Sequence, residues 1–327
     1  MHGVEDYLSQ CLDSIRDDAG PQVEIIAVDD ASPDRCGDML DAYAGIKVVH
    51  LTHNVGLGLA RNAGLAEATG DYVWFVDSDD WLPPGSIAAV LRELEAQQPD
   101  VLLIDHLRVH ENGRPEVDAS SRHLAGPAAL ERALAVQHTA WNRIVRRQFL
   151  LDHDLWFRPG WYEDVPFSHP VLIAADKIAV LDRVCYHYRI GRAGAITATR
   201  SDRHFEAFAQ YDRLQEWLAG RPISPELRVQ LFTLMVDHLL VVAGNDGRMH
   251  PSRRREFFHR IVELYRRHLP AGYRAPAGAK GLKHRLVASG SYPLYALLRA
   301  AYRARRRSAG LPQLPARPRP AAVAPIV

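Results

Sequence analysis

The segment YVWFVDSDDWLPPG, residues 72–85, ends an apolar run in Asp77, Ser78, Asp79 and Asp80. Three carboxylates in four positions repel one another unless water, hydrogen bonds or a cation compensates them. One reading is a strand that ends in an acidic turn, with Asp80 capping the next segment. A calcium loop is a second, but the EF-hand spacing and its closing Glu are absent. In the third, Asp77 and Asp79 meet a divalent cation that carries a nucleotide diphosphate. A hard cation takes oxygen ligands and neutralises a departing diphosphate.

Two neighbouring stretches favour the third reading. VDDASPD, residues 28–34, repeats the design of a strand running into acids. A carboxylate of Asp29 or Asp30 there can accept hydrogen bonds from a base N–H or from ribose hydroxyls. A helix-capping turn is the competing account of the same residues. Between the two acidic ends lies NVGLGLARNAG, beginning at Asn54. Gly56 and Gly58 permit close backbone approach, the helix start favours anions, and Arg61 lies one turn in, within reach of a phosphate.

The elements that must hold these residues emerge from hydrophobic spacing. Val4, Leu8, Cys11, Leu12 and Ile15 fall on one helical face. VEIIAV, IKVVHL, DYVWFV and VLLIDHL read as strands, the first a continuous apolar run suited to burial on both faces. Strands alternating with helices over about the first 110 residues predict an α/β domain with a mostly parallel sheet. Ligands gather outside the carboxyl ends of such strands, which puts both acid clusters on one rim. Residues 127–152 read as helical, a helix comes next near Val165, and IAVLDRVCYHYRI returns as a strand. From Ser201 the pattern is helical throughout. The expected organisation is an α/β domain over 1–195, a small all-α accessory region over 196–270 and a basic, partly disordered tail over 271–327.

YLSQCLDSI, EIIAVDDASPD, NVGLGLARNAGLAEATGDYVWFVDSDDWL and YEDVPF, in this order, resemble the family 2 glycosyltransferases of GT-A fold. WNRIVRRQF and RVCYHYR also resemble a bacterial subgroup of them, sometimes fused to a CDP-glycerol glycerophosphotransferase domain. The resemblance implies a Rossmann-like sheet flanked by helices, a nucleotide-sugar donor, Mg²⁺ or Mn²⁺, and transfer with inversion to a cell-envelope polysaccharide, teichoic-acid-like or lipid-linked acceptor. By motif match, Asp29 and Asp30 hold the nucleoside, with Asn54, Gly56, Arg61 and Asp77 also on the donor side. Asp77 and Asp79 hold the metal and diphosphate. Glu163 and Asp164 form the acidic pair that carries the general base, with Asp164 the expected base; capping of the next helix is the competing role. Trp141, Asn142, Trp161 and Tyr162 either line the acceptor side or belong to the core. Family members begin with a strand before the first helix, and this sequence opens at the helix, MHGVEDYL. That departure implies an N-terminally truncated domain whose start lies upstream, with a non-catalytic nucleotide-sugar-binding or scaffold relative as the alternative. A nucleotidyltransferase would need a glycine-rich, basic loop after its first strand, which is not seen.

Forty basic and 39 acidic residues nearly cancel, so net charge names no partner. Their distribution is uneven, because no Asp or Glu occurs after Glu263. Residues 280–307 alternate basic and apolar side chains, which fits an amphipathic helix on an anionic membrane or a solvated linker. No nucleic-acid-reading motif accompanies them. Three widely spaced cysteines argue against a disulfide framework or a zinc site and for a reducing compartment. No signal peptide or uncharged span of about 20 apolar residues is seen. The expected location is the cytoplasm, peripheral to the inner face of the plasma membrane.

Overall fold

A computed structural model describes residues 1–110, 115–118, 124, 129–192 and 194–308. The chain divides into two compact units, Met1–Arg192 and Ala193–Val327.

The first unit opens with α1 (Glu5–Arg16), whose first turn carries Glu5 and Asp6, favourable at a helix start, and whose Leu8, Cys11 and Leu12 are buried. Next come β1 (Ile26–Asp29), α2 (Cys36–Asp41), β2 (Lys47–His50), α3 (Leu57–Glu67) and β3 (Tyr72–Trp74). They are succeeded by α4 (Ser86–Gln97), β4 (Val101–His110) and β5 (Pro115–Asp118). The unit closes with α5 (Ala129–Ala135), β6 (Arg143–Arg146), α6 (Arg147–Asp152), α7 (Val165–Ala174) and β7 (Ile178–Ile190). The four strands expected early in the chain are present, and so is the long strand of IAVLDRVCYHYRI.

The sheet is more mixed than the alternating pattern predicts. β1 pairs β2 in parallel as a two-stranded sheet, and β4 pairs β7 in parallel. β3–β6, β4–β6 and β4–β5 are antiparallel. β6 is the cause: it lies inside the region expected to be helical and inserts between β3 and β4. Ile144 and Val145, both β-branched and fully buried, suit that central position better than a helix face. β1 is also less enclosed than its apolar run suggests, with only Ala27 and Asp29 buried. The Met1 ammonium donates to the Val28 carbonyl at 2.6 Å, and the Asp30 N–H donates to the Met1 carbonyl at 2.9 Å. Residues 1–3 thus run beside β1.

The core between α4 and the larger sheet is made by Ile87, Val90, Leu94, Leu102, Ile144 and Tyr186, among others. Trp141 stacks on Tyr186, with ring centres 4.4 Å apart and planes within 8°.

The second unit is helical: α8 (Glu206–Ala219), α9 (Pro225–Gly244), α10 (Arg254–His268), α11 (Gly278–Ser289) and α12 (Tyr292–Ser308). Ser224 caps α9 by accepting from the Leu227 N–H at 3.1 Å, with Pro225 at the first turn. α9 is long and apolar enough to cross a membrane. Its Leu231, Phe232, Met235, Val236 and Leu239 are buried inside this unit, as befits the central helix of a bundle. α11 and α12 order residues expected to form part of the tail, and Leu282, Leu294, Leu297 and Tyr302 are exposed on them. The expectation of disorder for 311–327 lies outside the described residues.

Candidate active site

The first-unit acids gather where β1 and β3 end. Asp77 continues from β3 and donates its N–H to the Tyr186 hydroxyl at 3.0 Å. Asp80 is buried, and both its oxygens are taken: Oδ2 accepts from the Tyr186 hydroxyl at 2.8 Å and Oδ1 from the Arg189 N–H at 2.7 Å. Burial, then the nearby Asp79 and Asp77, pushes the Asp80 carboxyl well above the usual carboxylate range. Asp80 therefore belongs to the packing that holds the loop. Asp77 and Asp79 stay about one-fifth exposed, with side-chain exposures of 21% and 19%.

Arg61 connects three segments distant in sequence. Its Nη2 donates to Asp77 Oδ1 at 2.5 Å and its Nη1 to Glu163 Oε1 at 2.7 Å. Its guanidinium also lies 5.2 Å from the Phe157 ring centre. Burial works against the Arg61 charge, but Asp77 and Glu163 outweigh it and hold its pKa above the ordinary value. The sequence suggests a phosphate contact for this residue; here the guanidinium is instead committed to two carboxylates.

Glu163 and Asp164 precede α7. Asp164 occupies the N-cap position, yet its side chain makes no capping hydrogen bond. The capping alternative raised by the sequence thus does not describe it. Asp164 is half-buried, and burial together with the adjacent Glu163 pushes its carboxyl well above the usual range, against the pull of Arg61 and Arg143. Burial likewise raises Glu163, with Arg61 opposing. Arg143 is fully buried and donates to Asn142 Oδ1 and to the Ser168 and Gln137 carbonyls. Burial lowers its pKa to about 10, and Asp164 opposes that shift.

Glycine makes the closure between α3 and the acidic pair feasible. Gly56 begins α3 at φ +88°, in the region that favours glycine. A Cβ on Gly58 would stand 2.9 Å from both the Arg158 carbonyl oxygen and the Glu163 Cγ. The Asp29–Asp30 and Glu163–Asp164 pairs are each flanked by a left-handed residue, Ala31 at φ +48° and Tyr162 at φ +64°. Non-glycine residues bear strain there, a pattern found where structure is built around a site.

Other expected site residues sit differently. Asp30 accepts the Val55 and Gly56 N–H groups at 2.7 and 2.9 Å, so its carboxylate fixes the glycine turn. Asn54 is exposed and its Nδ2 donates to the Asp30 carbonyl at 3.3 Å. Asp29 Oδ1 accepts from Ser32 N–H at 3.0 Å and Oδ2 lies 3.2 Å from His50 Nδ1. Trp141 and Asn142 are buried in the core and present no face to an acceptor. Stacking on Tyr186, and hydrogen bonds to Gln137 and Arg143, account for them. Trp161 and Tyr162 are half-buried beside Glu163.

Two arginines of the RVCYHYRIGR stretch were not legible as site residues. Arg192 Nε donates to Asp79 Oδ2 at 2.6 Å, and Arg189 Nε to the Asp79 carbonyl at 2.8 Å. More than 100 residues separate these partners, so only the register of β7 could have shown them. Among the described residues, Asp77 Oδ2 and Asp79 Oδ1 accept no hydrogen bond, and no third His, Cys, Asp or Glu joins them as a ligand cluster. Two hard, partly exposed carboxylates suit Mg²⁺ or Mn²⁺, ions that take one or two protein carboxylates and complete their shell with water and phosphate.

Residues 1–144 match the model for glycosyl transferase family 2. It is 27% identical over 268 residues to the putative glycosyltransferase EpsH of Bacillus subtilis, covering 78% of this chain and 77% of EpsH. It is 31% identical over 208 residues to the glycosyltransferase EpsJ of the same organism, covering 58% of this chain and 59% of EpsJ. It is 29% identical over 201 residues to the Staphylococcus aureus poly(ribitol-phosphate) β-N-acetylglucosaminyltransferase TarS, covering 59% of this chain and 35% of TarS. A crystal structure of residues 1–349 of TarS with UDP-GlcNAc superposes with a TM-score of 0.73 at 20% identity, covering 93% of this chain and 89% of that one. That likeness establishes the GT-A fold.

Proposed function

We propose that the first unit transfers a sugar, with inversion, from a nucleoside-diphosphate sugar to a hydroxyl of a cell-envelope polymer. The observation that carries this reading is the Arg61 bridge between Asp77 and Glu163 beside an uncapped Asp164. It brings an acid suited to a donor diphosphate and an acid suited to an acceptor hydroxyl into one charge network. TarS, named for transfer of N-acetylglucosamine to poly(ribitol phosphate) and crystallised with UDP-GlcNAc, supports that substrate class.

In this reading Asp164 accepts the proton of the acceptor hydroxyl as its oxygen attacks the anomeric carbon. The nucleoside diphosphate leaves from the opposite face. The elevated pKa of Asp164 makes it a stronger base than an exposed carboxylate. Arg61 orients Glu163 and Asp77 through its two-pronged contact. Asp77 and Asp79 would hold Mg²⁺ or Mn²⁺, which when bound neutralises charge on the departing diphosphate. Arg192, paired with Asp79, adds a positive charge at the same edge.

The test incubates purified full chain with labelled UDP-GlcNAc, Mn²⁺ and poly(ribitol phosphate), with NMR of the product. A β-linked sugar from the α-linked donor supports inversion. Turnover left intact in both Asp164→Asn and Asp79→Ala would sink these role assignments. Other nucleotide sugars in the same assay define the donor.

A further inference from the structure

In the second unit, four arginines converge on Asp246 where α9 ends, three on its carboxylate and one on its backbone carbonyl. Asp246 Oδ1 accepts from Arg254 Nη2 at 2.7 Å and also from Arg299, while Oδ2 pairs with Arg303. Arg200 Nε and Nη2 donate to the Asp246 backbone carbonyl at 3.0 and 2.8 Å. Part of this is helix-end chemistry: Arg254 Nε donates to the Ala243 carbonyl at 2.8 Å and Arg299 Nη2 to the Gly244 carbonyl at 3.1 Å. A helix C-terminus offers only about half a negative charge. Four guanidinium groups against one carboxylate and that half charge leave an excess of roughly two and a half positive charges.

Two further facts point outward from this cluster. The Arg299 Nε–H is buried and meets no acceptor among the described residues. The side chains of Asp246 and Arg303 remain 31% and 40% exposed, whereas that of Arg254 is 6% exposed. The cluster is thus a buried floor with an open side. Arg254 and Arg299 have no second carboxylate partner among the described residues.

We propose that this arginine rosette binds a phosphate group. A phosphate brings close to two negative charges and three acceptor oxygens, which matches both the excess charge and the unused donor. The same chemistry occurs in free phosphate, in a polyol-phosphate polymer and in a phospholipid headgroup. The inference does not depend on the sugar-transfer reading.

The experiment measures thermal midpoints and calorimetric binding of the full chain with inorganic phosphate, against sodium chloride at matched ionic strength. Phosphate should raise the wild-type midpoint beyond chloride. Arg299→Gln and Arg303→Gln should each weaken phosphate binding about tenfold, the scale of one charged hydrogen bond. Arg303 is the more exposed, so its variant serves if Arg299→Gln does not fold. Asp246→Asn removes the competing anion; it should bind phosphate more tightly than wild type and recover its lost midpoint in phosphate. A closed salt-bridge cluster predicts the reverse, a destabilised Asp246→Asn that phosphate does not rescue. No phosphate response in either wild type or Asp246→Asn overturns the proposal. Two further arms name the source. Sedimentation with phosphatidylglycerol but not phosphatidylcholine vesicles, lost in Arg303→Gln, selects a lipid headgroup. Binding of soluble poly(ribitol phosphate) without vesicle binding selects a polymer. Vesicle binding that survives both arginine variants, with no phosphate response, also overturns the rosette.

Discussion

Asp164 combines two properties that oppose each other. Its carboxyl sits at a helix start without making the cap that would stabilise it, and its pKa is raised chiefly by burial. A carboxyl whose folded pKa lies above the unfolded value of about 3.9 binds its proton more tightly when folded. Its contribution to stability is therefore complete below about pH 4 and is lost as pH rises through the elevated folded value. Asp164→Asn should flatten that part of the stability–pH profile and gain about 1 kcal/mol at neutral pH. The same variant should lose roughly 10²- to 10⁴-fold in turnover. Urea melts from pH 5 to 8 and a transfer assay read the two effects separately. Arg61 makes the opposite case. Arg61→Met leaves Asp77 and Glu163 without their shared cation and should cost about 3–5 kcal/mol, the scale for breaking a buried ion pair by deleting one partner. Arg61→Lys should recover only part, because one ammonium cannot reproduce the two-pronged contact.

At the scale of elements, α3 and the segment before α7 approach so closely that Gly58 has no room for a methyl group. One of the two blocking atoms is a backbone oxygen, which cannot swing aside. Gly58→Ala should cost about 1–3 kcal/mol and move Glu163 relative to Arg61. Its transfer rate should fall even where the urea midpoint shows the variant folded. β6 carries a separate expectation. Ile144 is buried between β3 and β4, and Ile144→Ala should cost about 2–5 kcal/mol in a denaturant titration. The helical reading of 127–152 fails at β6 because apolar spacing of a short buried run does not separate helix from strand. The strands that carry the acids were legible, since each is an apolar run closed by a polar turn.

For the whole molecule, the three cysteines provide a built-in probe. Cys11, Cys36 and Cys185 are free and buried, all in the first unit. A thiol reagent should label almost none of them in the native chain and all three in guanidinium. Partial labelling under native conditions would show that this unit opens locally. The tail expected from its lack of acids is partly a folded element: α11 and α12 return charge to the bundle through Lys280–Asp237 and Arg299–Asp246. Global net charge conceals this, because the balancing acids lie tens of residues upstream.

Local chemistry alone determined much here. Acids after apolar runs, a glycine turn and a Glu–Asp pair define which side chains could meet a sugar nucleotide, and those signals need no more than a few neighbouring residues. Tertiary structure decided how the acids divide their work. Asp30 and Asp80 turn inward to fix loops, while Asp77, Asp79 and Asp164 keep oxygen atoms in reserve. That division depends on partners such as Tyr186, Arg189, Arg61 and Val55, brought close by strand register and helix packing. Identical carboxylates differ only in what the folded chain places against them.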